Sequence, residues 1–330
     1  MAEVVSFIIQ KGGCGKTTTT VNTASYLAMQ GYRVLAIDMD PQGNLTQHFG
    51  YDSDTLDLTI KDLFLNTKSF EEVILKRNQF LHIIPNNIET TTIEYTLYKS
   101  LTREFLLRDI LAPQHQNYDF ILIDCPPNLG ILSINALVAS KEFVMVVSPE
   151  FFPMKAIKPL YETYAMVKSK LNHSLRFKGV VMTMCDFRTR HAQEVRNILQ
   201  KNFPSKLYKS YIRMNVALKE ASSLGKSIFE YAPTSAGAFD YQNFVEEFLR
   251  DFSPAREKKQ HYDRFFHQLK KEEQEKILLK AKANLSQYIQ NRLEGEENEP
   301  VLREALIIER NKILEQLYPY RLYSTGEDVK

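Results

Sequence analysis

From the start of the chain to about residue 252, short runs of β-branched and apolar residues alternate with longer stretches of helical spacing. This alternation predicts βαβ units and a parallel sheet. Strands are expected at VVSFIIQ (4–10), RVLAID (33–38), LHIIP (81–85), FILID (120–124), FVMVVS (143–148), GVVMTM (179–184) and KLYKSYI (206–212). Several are apolar at every position rather than at every second one, as strands covered on both faces are. Helical patterns mark 16–30, ended by Gly31, and 101–112, 131–140, 154–172, 190–202 and 236–252. The fold class that follows is α/β, a doubly wound and mostly parallel sheet with helices on both faces. After "DFSPAREKK" the pattern changes. Residues 251–330 carry 15 Lys plus Arg and 15 Asp plus Glu, denser than the 25% charge of the whole chain. Within them Tyr262, Phe265, Phe266, Leu269, Ile277, Leu285, Tyr288 and Ile289 recur at mostly helical spacing. A main domain over 1–252 and a charged helical C-terminal extension over 253–330 are therefore expected.

Composition narrows the function classes. The 330 residues, 44% of them hydrophobic, can bury one large core of about 250 residues with sequence left over. A net charge of +2 provides no molecule-wide field that would by itself draw the chain onto nucleic acid or an anionic membrane. Any such binding must come from a local patch. Cys14, Cys125 and Cys185 are far apart and form no CxxC pair, which argues against a disulfide framework or zinc site and suits a reducing cytoplasm. No basic flank precedes the short apolar run at 4–9, and no run approaches the ~18 apolar residues of a spanning helix. The expectation is a soluble cytoplasmic protein without a membrane partner.

The chemistry concentrates in "IIQKGGCGKTTTT", residues 8–20. A strand that feeds a glycine-rich turn and then a helix aims backbone N–H groups and a helix N-terminus at one spot, a ready anion site. Gly12, Gly13 and Gly15 permit the backbone angles and the close approach. Lys16 is placed to reach the β- and γ-phosphates of a nucleotide, and the Thr17 hydroxyl to bind Mg²⁺. Gln10 occupies the first glycine position of the strict GxxxxGK[ST] pattern, so the match is to a variant, KGGxGKTT, with a second lysine at Lys11. "IDMDPQGN" then places Asp38 and Asp40 two apart, on one face of an extended backbone, at the carboxyl end of a strand. A carboxylate there can orient the water that attacks a γ-phosphate. "DFILIDCPP" ends a buried strand in Asp124, the Walker B position, which would hold Mg²⁺ directly or through water.

These three stretches, in this order, resemble the ParA/MinD group of deviant Walker A ATPases, a P-loop NTPase type, over residues 1 to about 250. What the resemblance implies is specific. Lys11, Gly12, Gly13, Cys14, Gly15, Lys16, Thr17 and Thr18 would form the nucleotide loop, with Thr17, Asp40 and Asp124 around Mg²⁺ and Lys11, Lys16 and Asp40 in catalysis. Met184 lies where relatives hold adenine. Lys11 would cross a nucleotide-bridged homodimer to the partner's phosphates. A γ-phosphate buried at an interface needs that extra cation, because an uncompensated desolvated charge costs several kcal/mol or more.

"DMDPQGNLTQ", "GVVMTMCDFRTRHAQEVRN" and "NVALKEASSLGKSIFEYAPTSAGAFDYQNFVEEF" are similar to the short, Soj-like ParA branch. That branch implies ATP-dependent, sequence-independent DNA binding on the nucleoid and a ParB-like partner that stimulates hydrolysis, in plasmid or chromosome partition. Arg188, Arg190, Arg213 and Lys219 are the candidate contacts to phosphate backbone, each adding a salt-dependent increment. Met214 and Ala217 stand where arginines are common in that branch, and Phe151, Phe152 and Pro153 replace its usual polar pair. Other readings are a membrane-cycling MinD-like ATPase, a cluster carrier, an ATP-gated scaffold with little turnover, and a nucleoid-riding ATPase that positions another cargo. The polar end "RLYSTGEDVK" disfavours the first, and the unpaired cysteines disfavour the second.

Overall fold

Strands in this chain gather into one eight-stranded sheet in a computed structural model that describes residues 1–92, 102–149, 153–250 and 252. They are β1 (Glu3–Ile8), β2 (Val34–Asp38), β3 (Leu75–Asn78), β4 (Leu81–Ile84), β5 (Phe120–Asp124), β6 (Glu142–Val147), β7 (Arg176–Cys185) and β8 (Leu207–Arg213). Their spatial order is β3-β4-β2-β5-β1-β6-β7-β8. Every neighbouring pair is parallel except β3–β4. The continuous apolar runs have their reason here: β2, β5 and β6 are buried at every position, and β1 at all but Glu3. The chain leaves β1 for β2 on one side and passes from β5 to β6 on the other. The carboxyl ends of β1, β2 and β5 therefore flank the point where strand order reverses, the place where open α/β sheets bind ligands.

All seven expected strands are present, with GVVMTM forming the later part of a longer β7. β3 is not signalled, because LKRN is polar in three of four positions. It serves as a short, charged antiparallel edge, a pattern that discourages further strand pairing. The opposite edge, β8, is covered by helix Ala236–Leu249: the Tyr208 and Phe244 rings stand 5.1 Å apart. Glu247 accepts from the N–H groups of Lys209 and Ser210 at 2.9 and 2.8 Å.

The helix expected over 101–112 shortens to Leu106–Leu111 and passes into a 3₁₀ turn, Ala112–Gln116. Pro113 lies in that turn and has no N–H to continue an α-helical ladder. The helix expected over 236–252 stops at Leu249. Helix Lys16–Met29 packs with Ala236–Leu249, and Leu106–Leu111 with Ile131–Ala139, which also meets Pro153–Lys170. Residues Met1–Leu249 make one compact unit. The extension expected over 253–330, and Phe151 and Phe152, lie outside the described residues. Among the described residues no helix is long and apolar enough to cross a membrane.

Candidate functional site

The loop between β1 and helix Lys16–Met29 turns on left-handed glycines, Gly13 at φ 70° and Gly15 at φ 80°. Gly15 is the N-cap, so no side chain caps the helix, and its first turn carries no acidic residue. The N–H groups that a first turn leaves without intrahelical acceptors are thus offered to an anion. No atom lies within 4 Å of where a Cβ would stand on Gly12 or Gly13, so that side of the loop is open. Lys16 is only 7% exposed. Its Nζ donates to the Lys11 carbonyl at 2.8 Å, and the Cys14 thiol donates to the same oxygen at 3.4 Å. Burial pushes the Cys14 thiol upward, which keeps it protonated and unreactive. The Cys14 carbonyl accepts from Thr183 Oγ1 at 2.6 Å. Met184, in the left-handed region at φ 53°, places its Cε 3.7 Å from where a Gly15 Cβ would stand. Lys11 lies back along its own subunit and donates from Nζ to the buried Ser148 Oγ at 3.1 Å. Thr18 belongs to the first turn, and its carbonyl accepts from Asn22 Nδ2 at 2.8 Å.

The acids stand at the strand ends beside this loop. Asp124 accepts from Thr17 Oγ1 at 2.6 Å and from Thr20 Oγ1 at 3.3 Å. Asp38 is its register partner across β2–β5. Asp38 and Asp40 turn to different partners. Asp38 faces Thr46, while Asp40 lies past the strand end and accepts from the Gln42 N–H at 3.0 Å. Burial raises the Asp38 carboxyl to about 8, with the Asp124 charge adding to the shift. Burial raises Asp124 to about 7, opposed by the Thr17 hydrogen bond and the Lys16 charge. Asp40 is raised by burial, against the Gln42 hydrogen bond and Lys16. Among the described residues no group of three or more His, Cys, Asp or Glu could hold a metal by itself. A hydroxyl–carboxylate pair beside an anion cradle instead fits a hard divalent cation whose remaining ligands are phosphate oxygens and water.

The raised pair has a measurable consequence. A carboxyl whose folded pKa exceeds its unfolded value of 3.8 adds stability at low pH, and that stability is lost as pH rises through the folded value. Between pH 8.5 and 7, above the window in which the buried His48 would charge, the nucleotide-free protein should become more stable as pH falls. Asp38→Asn should flatten the slope. Thermal melts across that range check it, and equal slopes in both proteins would refute the assignment.

The four residues expected at nucleic acid are placed differently from one another. Arg188 is 91% exposed but its guanidinium is forked onto Asp186, with contacts of 2.8 and 2.7 Å. Arg213 is likewise forked onto Asp240, through Nε at 2.9 Å and Nη2 at 2.7 Å, and fastens β8 to helix Ala236–Leu249. Arg190 and Lys219 are exposed on helices Arg190–Asn202 and Val216–Ser223. Residues that the motifs do not reveal also serve the site: Thr20 on Asp124, Thr183 on the loop, Ser148 on Lys11 and Thr46 on Asp38. Thr20 carried a readable signal, one helical turn after Lys16, and Thr183 another, as a lone hydroxyl in an apolar strand.

Comparison with known proteins points the same way. A family model described as an AAA domain matches residues 2–177. The chain is 39% identical over 248 residues to the sporulation initiation inhibitor protein Soj of Bacillus subtilis, covering 75% of this chain and 98% of that one. It is 34% identical to the chromosome partitioning protein ParA of Myxococcus xanthus, over 77% of this chain and 90% of the other. Among solved structures, cobyrinic acid a,c-diamide synthase of Mycobacterium smegmatis, with bound ADP and magnesium, superposes at a TM-score of 0.66 and 28% identity. That match covers 76% of this chain and 95% of that one.

Proposed function

The chain belongs to the Soj/ParA family of chromosome-partitioning ATPases, and on that footing we propose how its site carries out an ATP-driven cycle. Lys16, the Gly12–Thr18 amides and Lys11 hold the triphosphate, Thr17 and Asp124 hold Mg²⁺, and Asp40 orients the attacking water. Mg²⁺ supplies charge neutralisation between the phosphates. The observation that carries this reading is the uncapped helix start with Lys16 buried against it, next to the Thr17–Asp124 hydrogen bond. Such an arrangement offers a buried cation and a row of N–H donors to an incoming anion.

The second lysine supports the finer step, ATP-dependent homodimerisation. Lys11 donates to Ser148 and directly precedes Gly12 and Gly13, whose side of the loop is open. Two copies meeting on that side would exchange Lys11 contacts with each other's phosphates. The dimer would bind DNA without sequence preference, and a ParB-like partner would accelerate hydrolysis and release, so that the protein works in the cytoplasm on the nucleoid. The domain boundary near residue 252, with a charged helical extension over 253–330, belongs to the same proposal.

Arg190 is the most informative DNA candidate. A cation in the first turn of a helix opposes the macrodipole, so its presence there is not explained by helix stability. Arg188→Glu with Arg190→Glu should lower DNA affinity by about tenfold or more for two lost phosphate contacts while ATP-dependent dimerisation persists. Co-sedimentation with DNA at graded salt, with ATP and with ADP, tests this. Unchanged DNA affinity would move the patch elsewhere, and ATP-independent binding would reject the cycle.

A further inference from the structure

A buried hydrogen-bond brace stands behind the loop that carries Asp40. Asp38 is fully buried and accepts three hydrogen bonds, from the Thr46 N–H at 2.9 Å, Thr46 Oγ1 at 2.8 Å and the Asp40 N–H at 3.1 Å. Thr46 lies in helix Asn44–His48 and is itself fully buried. Its hydroxyl has one proton and two lone pairs to use. The proton goes to Asp38, and a lone pair accepts from the Asn86 N–H at 3.0 Å. Asn86, fully buried, continues the chain by accepting from the Asn87 N–H at 2.9 Å and from Thr90 Oγ1.

The middle of the loop is packed as firmly as its ends are bonded. Gly43 has φ 65°, and a Cβ there would stand 2.7 Å from Ser53 Cβ and 2.9 Å from the Asn86 carbonyl oxygen. Its N–H donates to the Asp40 carbonyl at 2.9 Å. Residues 38–46 are therefore tied at both ends and wedged at the centre, with Asp40 riding between. Every group on the path from the Asp40 N–H through Asp38 and the Thr46 hydroxyl to the Asn86 N–H is paired, whereas the buried Asn86 Nδ2 has no hydrogen-bond partner among the described residues and stands outside that path. Removal of the Thr46 hydroxyl would orphan the Asn86 N–H and leave Asp38 with one donor fewer.

We propose that Thr46 is a positioning residue for ATP hydrolysis: through Asp38 and Asn86 it fixes the backbone of residues 40–43, and with it the Asp40 carboxylate. Being fully buried, it acts without touching the nucleotide. The inference rests on the reading of Asp40 as the group that orients water.

The test uses the full chain with Mg²⁺ and ATP, comparing Thr46→Val, Thr46→Ser and Asp40→Ala. Thr46→Val keeps the shape and loses the hydroxyl; kcat should fall about tenfold to 100-fold, the scale of a misplaced catalytic group. KM for ATP should stay within about threefold, and Thr46→Ser should restore kcat to within about threefold of the unsubstituted chain. Should Thr46→Val fail to fold, Thr46→Ala is read by the same criteria. An unchanged kcat in Thr46→Val alongside a loss in Asp40→Ala overturns the brace and leaves Asp40 in place. Unchanged kcat in both sinks the brace together with the Asp40 assignment. A parallel rise in KM, or no rescue by serine, shows general damage and also overturns the proposal.

Discussion

Lys16→Ala is expected to lower the affinity for ATP by about 100-fold or more. Lys16 is the buried cation of the phosphate loop, 7% exposed, and its ammonium already forms a 2.8 Å hydrogen bond with the Lys11 carbonyl. That bond holds the group where the helix N-terminus and the loop amides converge. A phosphate entering there would take a charge-assisted hydrogen bond worth about 1.5–3 kcal/mol. A γ-phosphate buried without its cation costs more than the lost bond alone, and each 1.4 kcal/mol is about tenfold in affinity. The same charge acts on the protein: Lys16 opposes the upward shifts of both Asp124 and Asp40. Its loss should therefore also lower the melting temperature of the nucleotide-free protein more at pH 8 than at pH 7. Titration calorimetry with Mg²⁺–ATP, paired with melts at the two pH values, reads both effects. ATP affinity within about threefold of the unsubstituted chain would remove Lys16 from the site.

What could be read along the chain and what could not divide by sequence distance. The phosphate loop is local: strand, glycines, lysine and helix start lie within some fifteen positions, so their pattern states their geometry. The same holds for Asp124, placed by the end of an apolar run, and for the sheet itself, whose central strands show burial on both faces. The supporting contacts are not local. Thr183 reaches the loop across 169 positions, Ser148 meets Lys11 across 137, and Thr20 meets Asp124 across 104. Local pattern can mark Thr20 and Thr183 as hydroxyls out of the ordinary, but it does not name the partner that each one meets. Arg213 shows the converse. As a basic residue in a stretch resembling a DNA-contacting one it reads as a phosphate contact, yet the fold brings Asp240 to 2.7 Å of its guanidinium. Part of its charge is thereby spent on joining a strand to a helix. Arg188 and Asp186, two apart, could have been paired by inspection, because a short turn brings such neighbours together.

Asp40→Ala should separate the two halves of the cycle, leaving ATP bound and abolishing its hydrolysis. Asp40 sits beyond the end of β2, 8% exposed, with its carboxylate anchored by the Gln42 N–H. Neither that anchor nor the Asp38 brace contributes to the phosphate cradle, so the substitution leaves the Lys16 and Thr17 contacts intact. It removes one of three acids gathered at the strand ends beside the glycine loop, and ATP affinity should hold or rise slightly as that repulsion disappears. Turnover should fall by about 10²–10⁴-fold, the range for a positioned group that orients or deprotonates the attacking water. If ATP binding closes a dimer through Lys11, the dimer then accumulates because its fuel is no longer spent. Phosphate release in a single turnover and light scattering with ATP measure the two consequences separately. Asp40→Asn sharpens the reading: its amide oxygen can still accept from Gln42 but cannot take up a proton. Full turnover in Asp40→Asn would limit the residue to placing water, whereas its loss would assign the carboxylate a charge or proton role. A protein that stays monomeric with ATP in both variants, while binding it tightly, would show that Lys11 serves only its own subunit.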